Sequence, residues 1–469
     1  MKKTKILATF GPSIESPRLL QLLVGAGVNA FRVNCSHGDR AYFMRAAAMI
    51  RKAAASSAYP VGLLFDISGP KFRLARFSGE LAVSQKDTVT LWAGPTDLAA
   101  RLLGVNNKII IRTARRGQRL FIDDGRLMFE VIEVGRDRLR IRAQNSGVLL
   151  PGKGLNLPDT KLPVSAVTAK DRADIKTACD ADAEFIALSF VRSADDILKA
   201  RRLVRRLGGR QKIIAKLEMR EAIEHLEEIM SVSDGVMVAR GDLGVELPPA
   251  EVPRVQKRII KLANRHHKPV IVATQMLESM RFEPRATRAE INDVASAVFG
   301  CADAVMLSAE TATGRYPLEA VRTMRDVIEA TEADGAAPDI DLEDQFLSSP
   351  TAFSIARAVS QTDRRGDTRA IFAFTTSGFT AALISSLFPT RPVIALTRYE
   401  KVARQLAFYR SVYAVAAEQP ASMDEMMAVV NRVCRERRLA KRGDKVIVTG
   451  GTPFGSAVPT NFMLIQEVS

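Results

Sequence analysis

The 469-residue chain is poor in the residue types that most directly announce metal, redox or base-stacking chemistry. Its four cysteines, Cys35, Cys179, Cys301 and Cys434, are scattered without CxxC spacing. That argues against a disulfide framework or a structural zinc site and fits a reducing cytoplasm. There are four histidines, and His266 and His267 are adjacent rather than at ligand spacing. Acid/base chemistry is therefore expected from lysine, carboxylates or hydroxyls. One tryptophan and six tyrosines offer little for stacking on nucleic-acid bases. No apolar run approaches the ~18–20 residues of a membrane span. The apolar stretch in MKKTKILATFGPS covers only five residues, short of the roughly 7–15 of a secretory signal. A GxxxxGK[ST] loop is absent, so P-loop nucleotide chemistry is not indicated.

What is present is positive charge. Lys and Arg number 68 against 52 Asp and Glu, a net +16, which raises the question of an anionic partner. The basic clusters RRLVRRLGGRQK (201–212) and RERRLAKRG (435–443) lie on or just after amphipathic helical patterns and read as solvated faces. With no zinc finger and no RNA-recognition motif, neither a nucleic acid nor a membrane is expected as partner.

At roughly 150 residues per domain the length suggests about three domains. Eight short apolar runs recur: KILATF (5–10), AFRVNC (30–35), VGLLFDI (61–67), FIALSFV (185–191), KIIAKLE (212–218), GVMVAR (235–240), PVIVATQ (269–275) and DAVMLSAE (303–310). Being apolar on both faces, they read as covered parallel strands. Helical patterns separate most of them, so an α/β fold built on a (β/α)8 TIM barrel is expected. Between 67 and 185 the rhythm breaks. FRLARFSG, TVTLWAG, KIIIRT, RLFIDDG, LMFEVIEVG and RLRIRAQNSG read as polar–apolar alternation with Gly and Asp turns. The barrel is thus expected over 1–71 and 159–332, with a small β-barrel domain inserted at 72–158. ADGAAPDIDLEDQ (333–345) reads as a linker. A C-terminal α/β open-sheet domain over 346–469 carries the strands RAIFAFT, PVIALTR, SVYAVA and KVIVTGG.

Catalytic groups of such barrels gather where strands end at the C-terminal rim. Here those ends carry Arg32, Asn34, Ser36 and His37; Asp66; Lys216 and Glu218; Arg240, Gly241 and Asp242; Thr274 and Gln275; Ser308 and Glu310. Any one of them could merely cap a strand. Their joint placement at one rim points to a site. Glu218 and Asp242 leave adjacent strands, and two carboxylates plus substrate oxygens and water suit Mg²⁺. Lys216 alternates with Glu218 on one strand face, and Arg32 adds a second fixed cation. Such a group stabilises a transferring phosphoryl or a developing enolate.

KILATFGPS, FRVNCSHG, ARGDLGVELP, ATQMLESM, ATRAE, DVASAV and MLSAETATGRYPLEAV resemble the pyruvate kinase motifs, in that family's order and across essentially the whole chain. The resemblance implies phosphoryl transfer from phosphoenolpyruvate to ADP, giving pyruvate and ATP in glycolysis. It implies Glu218 and Asp242 as ligands of Mg²⁺ or Mn²⁺, and Lys216 neutralising charge on the phosphoryl and enolate oxygens. It further implies Arg32 on the phosphate, the amides near Gly241 and Asp242 with Thr274 on the carboxylate, and Thr274 and Ser308 on the face where the enolate is protonated. Asn34, His37, Arg73 and Lys170 would correspond to nucleotide-side residues, the inserted domain to a closing lid, and the assembly to a homotetramer.

Departures from the pattern are informative. Most members read DTKGPEIR where this chain reads DISGPKFR (66–73). Potassium-dependent members hold K⁺ near the residues matching Asn34, Ser36, Asp66 and the carbonyl of Ile67, with Glu at the position of Lys71. The Lys71 ammonium is therefore expected to stand in for K⁺, so that K⁺ is not required; the plain alternative is a surface lysine. Met219 and Ala309 replace a usual polar residue and a usual Gly without removing a ligand or a charge. In the C-terminal unit, TTSGFT places Thr375, Thr376, Ser377, Gly378 and Thr380 where the family holds a phosphate of a sugar-phosphate or nucleotide effector, with GGTPFGSAVPTN (450–461) closing over it. A helix N-cap would need only one of those hydroxyls, and Phe379 replaces a basic residue found in many sugar-bisphosphate-responsive members. A metal-dependent aldolase or lyase would explain the barrel but not the insert or the C-terminal unit, and a nucleic-acid or scaffold protein would explain only the charge.

Overall fold

The structure, a computed structural model, describes residues 1–333, 349–453 and 458–469. From residue 334 the expected linker lies outside the described residues, as do 346–348 and 454–457. Strands β1 (Lys5–Thr9), β2 (Ala30–Asn34), β3 (Gly62–Ile67), β4 (Phe185–Leu188), β5 (Lys212–Leu217), β6 (Gly235–Ala239), β7 (Val270–Ala273) and β8 (Ala304–Leu307) close into one barrel. Every neighbouring pair is parallel, and β1 closes on β8 with Lys5 opposite Ala304.

Period two along each strand sorts its side chains between two cores. Ile6, Phe31, Val33, Leu63, Phe65, Ile186 and Ile213 pack in the layer shared with the surrounding helices. Leu7, Ala30, Leu64, Phe185, Ile214, Met237, Ile271 and Ala304 fill the interior. Extending the interior register by two or four residues leads from Ala30 to Arg32 and Asn34, from Leu64 to Asp66, from Phe185 to Ser189, and from Ile214 to Lys216 and Glu218. The barrel axis thus grades from apolar floor to charged mouth.

Because β3 pairs directly with β4 (Ala187 opposite Asp66), the long segment between them leaves and rejoins the barrel at one point of the rim. It forms a six-stranded sheet, with strand order Leu155–Asn156, Arg119–Ile122, Leu127–Val134, Arg138–Ala143, Thr88–Trp92 and Leu102–Gly104. A two-stranded sheet pairs Gly147–Leu149 with Leu81–Val83. Two expectations fail here: FRLARFSG forms only isolated bridges, at Arg73 and Leu74, rather than a strand, and KIIIRT is a short α-helix, Ile109–Thr113. Three consecutive isoleucines carry no alternation. The Asn107 side chain accepts the Ile109 N–H at 3.0 Å, and one helical turn buries Ile110 and Ile111 in the insert core while leaving Arg112 exposed.

The C-terminal unit is an open five-stranded sheet of β9 (Thr368–Phe374), β10 (Val393–Thr397), β11 (Val412–Ala416), β12 (Lys445–Gly450) and β13 (Phe462–Glu467), in the order β11-β10-β9-β12-β13. All pairs are parallel except the edge strand β13, which runs antiparallel to β12. One layer of this unit joins the barrel-interior core. Phe408 packs against Phe185 with ring centroids 4.5 Å apart and the rings tilted by 55°. A Cβ at Gly62 would stand 2.3 Å from the Phe408 ring, so that position must be glycine.

Polar contacts fix the same junction. Glu184, fully buried just ahead of β4, accepts the Leu63 N–H at 2.7 Å and pairs with Arg51 at 2.8 Å and with Arg404 of the C-terminal unit at 2.6 Å. Glu184→Ala leaves both guanidinium groups and an amide without their shared acceptor. A loss of about 3–5 kcal/mol is expected, read as a lowered urea midpoint; an unchanged midpoint would refute the importance of this junction.

Candidate active site

The barrel mouth and the facing side of the insert enclose a cleft of about 220 Å³. Of the residues expected at the site, Arg32, Asn34, Ser36, Asp66, Lys71, Arg73, Lys216, Glu218 and Asp242 line it together, joined by Asp124 and Asn156 of the insert.

Asp66 organises the floor. Its Oδ2 accepts Arg32 Nε at 2.7 Å and lies 2.6 Å from Arg32 Nη2, while its Oδ1 lies 3.3 Å from Lys216 Nζ. Lys216 also donates to Ser189 Oγ at 2.6 Å and sits 3.2 Å from Glu218 Oε2. Arg32 Nη1 donates to Thr9 Oγ1 at 3.2 Å. Burial pushes the Asp66 carboxyl up, but Lys216 and Arg32 outweigh it and hold it below the usual carboxylate range. Burial works against the Lys216 ammonium in the same way, yet Asp66, Glu218 and Asp242 raise its pKa above that of an ordinary lysine. Lys216 is thus a fixed cation at neutral pH, not a base.

Glu218 and Asp242 behave differently. Burial pushes the Glu218 carboxyl up to about 7 despite Lys216. Asp242 is raised as well, burial coming first, although its side chain reaches the open cleft. Glu218 Oε1 accepts the Phe190 N–H at 2.7 Å, whereas Oε2 is buried and makes no hydrogen bond. Two carboxylates at neighbouring strand ends, both with raised pKa values and one with a buried oxygen that makes no hydrogen bond and has only the Lys216 ion pair, fit a divalent cation. No cluster of three or more His, Cys, Asp or Glu ligands occurs among the described residues, so a cation here would complete its shell from substrate oxygens and water.

The remaining expected residues are placed around this centre. Gly241 N–H donates to Thr274 Oγ1 at 2.8 Å, which ties the exits of β6 and β7 together. Thr274 and Gln275 are both left-handed, at φ 69° and 53°. Arg240 holds that turn: it donates to the Thr274 carbonyl at 2.6 Å and pairs with Asp293 at 2.6 Å. Ser308 follows β8 with a buried Oγ that makes no hydrogen bond. Lys71 Nζ donates to Ser36 Oγ at 2.6 Å, and Ile67 buries its side chain in the helix-facing core. His37 and Lys170 lie outside the cleft walls. Lys170 is committed to Asp174 and to the Cys35 carbonyl, each at 2.6 Å. His37 is pushed below its ordinary pKa by burial and by Lys71, Arg73, Arg32 and Lys170.

Sequence reasoning missed Ser189, Phe190 and Asp124, and gave Asp66 too small a part. Ser189 was findable, since the interior register from Phe185 reaches it in four residues. Phe190 was not, because its contribution is a backbone N–H.

Residues 1–321 match the family described as "Pyruvate kinase, barrel domain" and residues 354–466 the one described as "Pyruvate kinase, alpha/beta domain". A pyruvate kinase of Methylorubrum extorquens is 39% identical over 470 residues, covering 100% of this chain and 98% of its own. One from Clostridium perfringens is 37% identical over 481 residues, covering 100% of both chains. "Pyruvate kinase 2" of Synechocystis is 39% identical over 474 residues, covering 100% of this chain and 79% of its own.

The charge balance at Asp66 can be tested without any ligand. Its folded pKa is depressed, so its stabilisation is present above the unfolded value of about 3.9 and is lost as pH falls through the lower folded value. Asp66→Asn should cost about 3–5 kcal/mol near neutrality. In urea unfolding its deficit against wild type should narrow only below about pH 4; a deficit independent of pH would contradict this.

Proposed function

Because the chain belongs to the pyruvate kinase family, we propose that it transfers a phosphoryl group from phosphoenolpyruvate to ADP, giving pyruvate and ATP, as the closing step of glycolysis. The observation that carries this reading is the Arg32–Asp66–Lys216–Glu218 cluster beside Asp242, in a chain that matches both family domains. A divalent cation, Mg²⁺ or Mn²⁺, on Glu218 and Asp242 would supply Lewis-acid neutralisation of phosphoryl and enolate oxygens.

The chain's own residues do the rest. Arg32, oriented from behind by Asp66 and Thr9, presents a fixed guanidinium to the phosphate. Lys216 keeps its proton and faces the oxygens on which charge builds during transfer. Gly241 and Asp242 amides with Thr274 would receive the substrate carboxylate, a role supported by the contact that already joins Gly241 to Thr274. Thr274 and Ser308 border the face on which the enolate is protonated. Asn34, His37, Arg73 and Lys170 take the nucleotide side. The depressed pKa of His37 leaves it a neutral hydrogen-bonding group there. The insert, which contributes Asp124 and Asn156 to the cleft, would close as a lid and exclude water.

Lys71 supports independence from K⁺. Burial first, then Arg73 and Lys216, lower its pKa, while Asp66 and Asp242 oppose that shift. Its ammonium rests on Ser36 within the cleft that Asn34 and Asp66 also line. A homotetramer in the cytoplasm completes the proposal. No described helix is long and apolar enough to cross a membrane, and all four cysteines are free.

The effector reading concerns a second cavity, lined by Thr375, Thr376, Ser377, Thr380, Arg398 and Glu418 among others. Gly378, at φ 84°, precedes the helix Phe379–Ser386. The Gly378 N–H donates to Thr375 Oγ1 at 2.9 Å and the Phe379 N–H to Ser377 Oγ at 3.3 Å, so two hydroxyls serve the helix start. Thr380 bonds Thr460 at 2.5 Å, which ties that helix to the described part of the 450–461 loop. A sugar-phosphate or nucleotide is the proposed ligand.

Purified protein with phosphoenolpyruvate, ADP and Mg²⁺ should form pyruvate at comparable rates with and without K⁺. No pyruvate in either condition overturns the main reading. A hundredfold activation by K⁺, about 2.7 kcal/mol in barrier, overturns the role of Lys71. Lys71→Glu should install a K⁺ requirement of about that size. Ser377→Glu should abolish activation by sugar phosphates or nucleoside monophosphates; persistence of such activation removes the proposed effector site.

A further inference from the structure

Phe190 follows β4 and Ser189 at φ 56°, a left-handed conformation that bulky side chains avoid. In that conformation its N–H donates to Glu218 Oε1 at 2.7 Å. Opposite it, in the loop after β3, Gly69 is also left-handed, at φ 66°. A Cβ on Gly69 would stand 2.6 Å from Phe190 Cδ2, so the ring lies directly against the Gly69 backbone. Gly69 is held from the other side: its N–H donates at 3.1 Å to Oδ1 of the fully buried Asp171. Asp171 is itself locked in a reciprocal cap with Thr168 at the start of the helix Ala169–Asp180.

These contacts form one mechanical series from a helix cap, through a glycine and an aromatic ring, to one oxygen of Glu218. We infer that Phe190 is a positioning residue for the divalent-cation site: its ring, seated on Gly69, holds the backbone that aims the N–H at Oε1 and leaves Oε2, which makes no hydrogen bond and lies 3.2 Å from Lys216, to face the cation. The inference rests on the reading that Glu218 holds that cation. Without that N–H, neither Glu218 oxygen would be fixed against rotation of the carboxylate. The pinned N–H commits one oxygen and reserves the other.

Mn²⁺ titration followed by electron paramagnetic resonance, without phosphoenolpyruvate or ADP, separates the two readings. Wild type should bind Mn²⁺ and Glu218→Gln should lose that binding; failure of either overturns the cation reading itself. Phe190→Gly removes the ring while tolerating the left-handed backbone. It should weaken Mn²⁺ binding about tenfold when measured well below its melting temperature. Phe190→Tyr, which keeps the ring, should restore wild-type affinity. Gly69→Ala pushes on the same ring from the opposite side and should also weaken Mn²⁺ binding. A folded Phe190→Gly protein that binds Mn²⁺ like wild type would overturn the inference and leave Phe190 as packing alone.

Discussion

One buried carboxylate, Asp66, faces two cations on different strands, and the site is arranged around that contact. Removing Asp66, Arg32 and Lys216 from water is unfavourable for each group alone. Mutual attraction repays it only where geometry is close and spare hydrogen-bonding capacity is used. Thr9 and Ser189 help meet the second condition, each accepting a further hydrogen bond from Arg32 and from Lys216 respectively. The barrel meets the first, because interior positions on β2, β3 and β5 bring Arg32 and Lys216 within 2.6 and 3.3 Å of Asp66 above the apolar floor. Charge developing on a reacting molecule therefore meets cations already oriented, with little left to reorganise.

The same balance leaves Glu218 and Asp242 short of compensation. Lys216 is shared among three carboxylates, so the two at the rim keep raised pKa values where Asp66 keeps a lowered one. Environment alone thus divides like residues into one that anchors and two that await a cation, a division of labour that pKa tuning makes available at neutral pH.

Much of this was legible in the sequence. The eight barrel strands are apolar on both faces and bounded by helical patterns, so type and order could be read together. The insert showed itself as a change from continuous to alternating apolarity. KIIIRT misled because a run of three isoleucines has no period. The edge strand Phe462–Glu467 escaped because it lies half exposed beyond a loop, with no buried run to mark it. At the site, Lys216, Glu218 and Arg32 stood out as charges at strand ends. The anchoring part of Asp66 depends on distances between strands, and that of Phe190 on a backbone angle; neither is written in residue identity.

Phe408 and Phe185 meet at the barrel floor, where Gly62 makes room for them. Nearby, the buried Lys5 Nζ ends on the Val412 carbonyl and the Tyr413 ring of the C-terminal unit. In genealogical terms, the barrel and the open sheet are separable as stretches of chain but not as cores. A lineage that exchanged the C-terminal unit would inherit a glycine with no aromatic to admit and a lysine with no carbonyl to reach. Descent with substitution can tune this junction residue by residue; recombination across it would have to replace both sides at once.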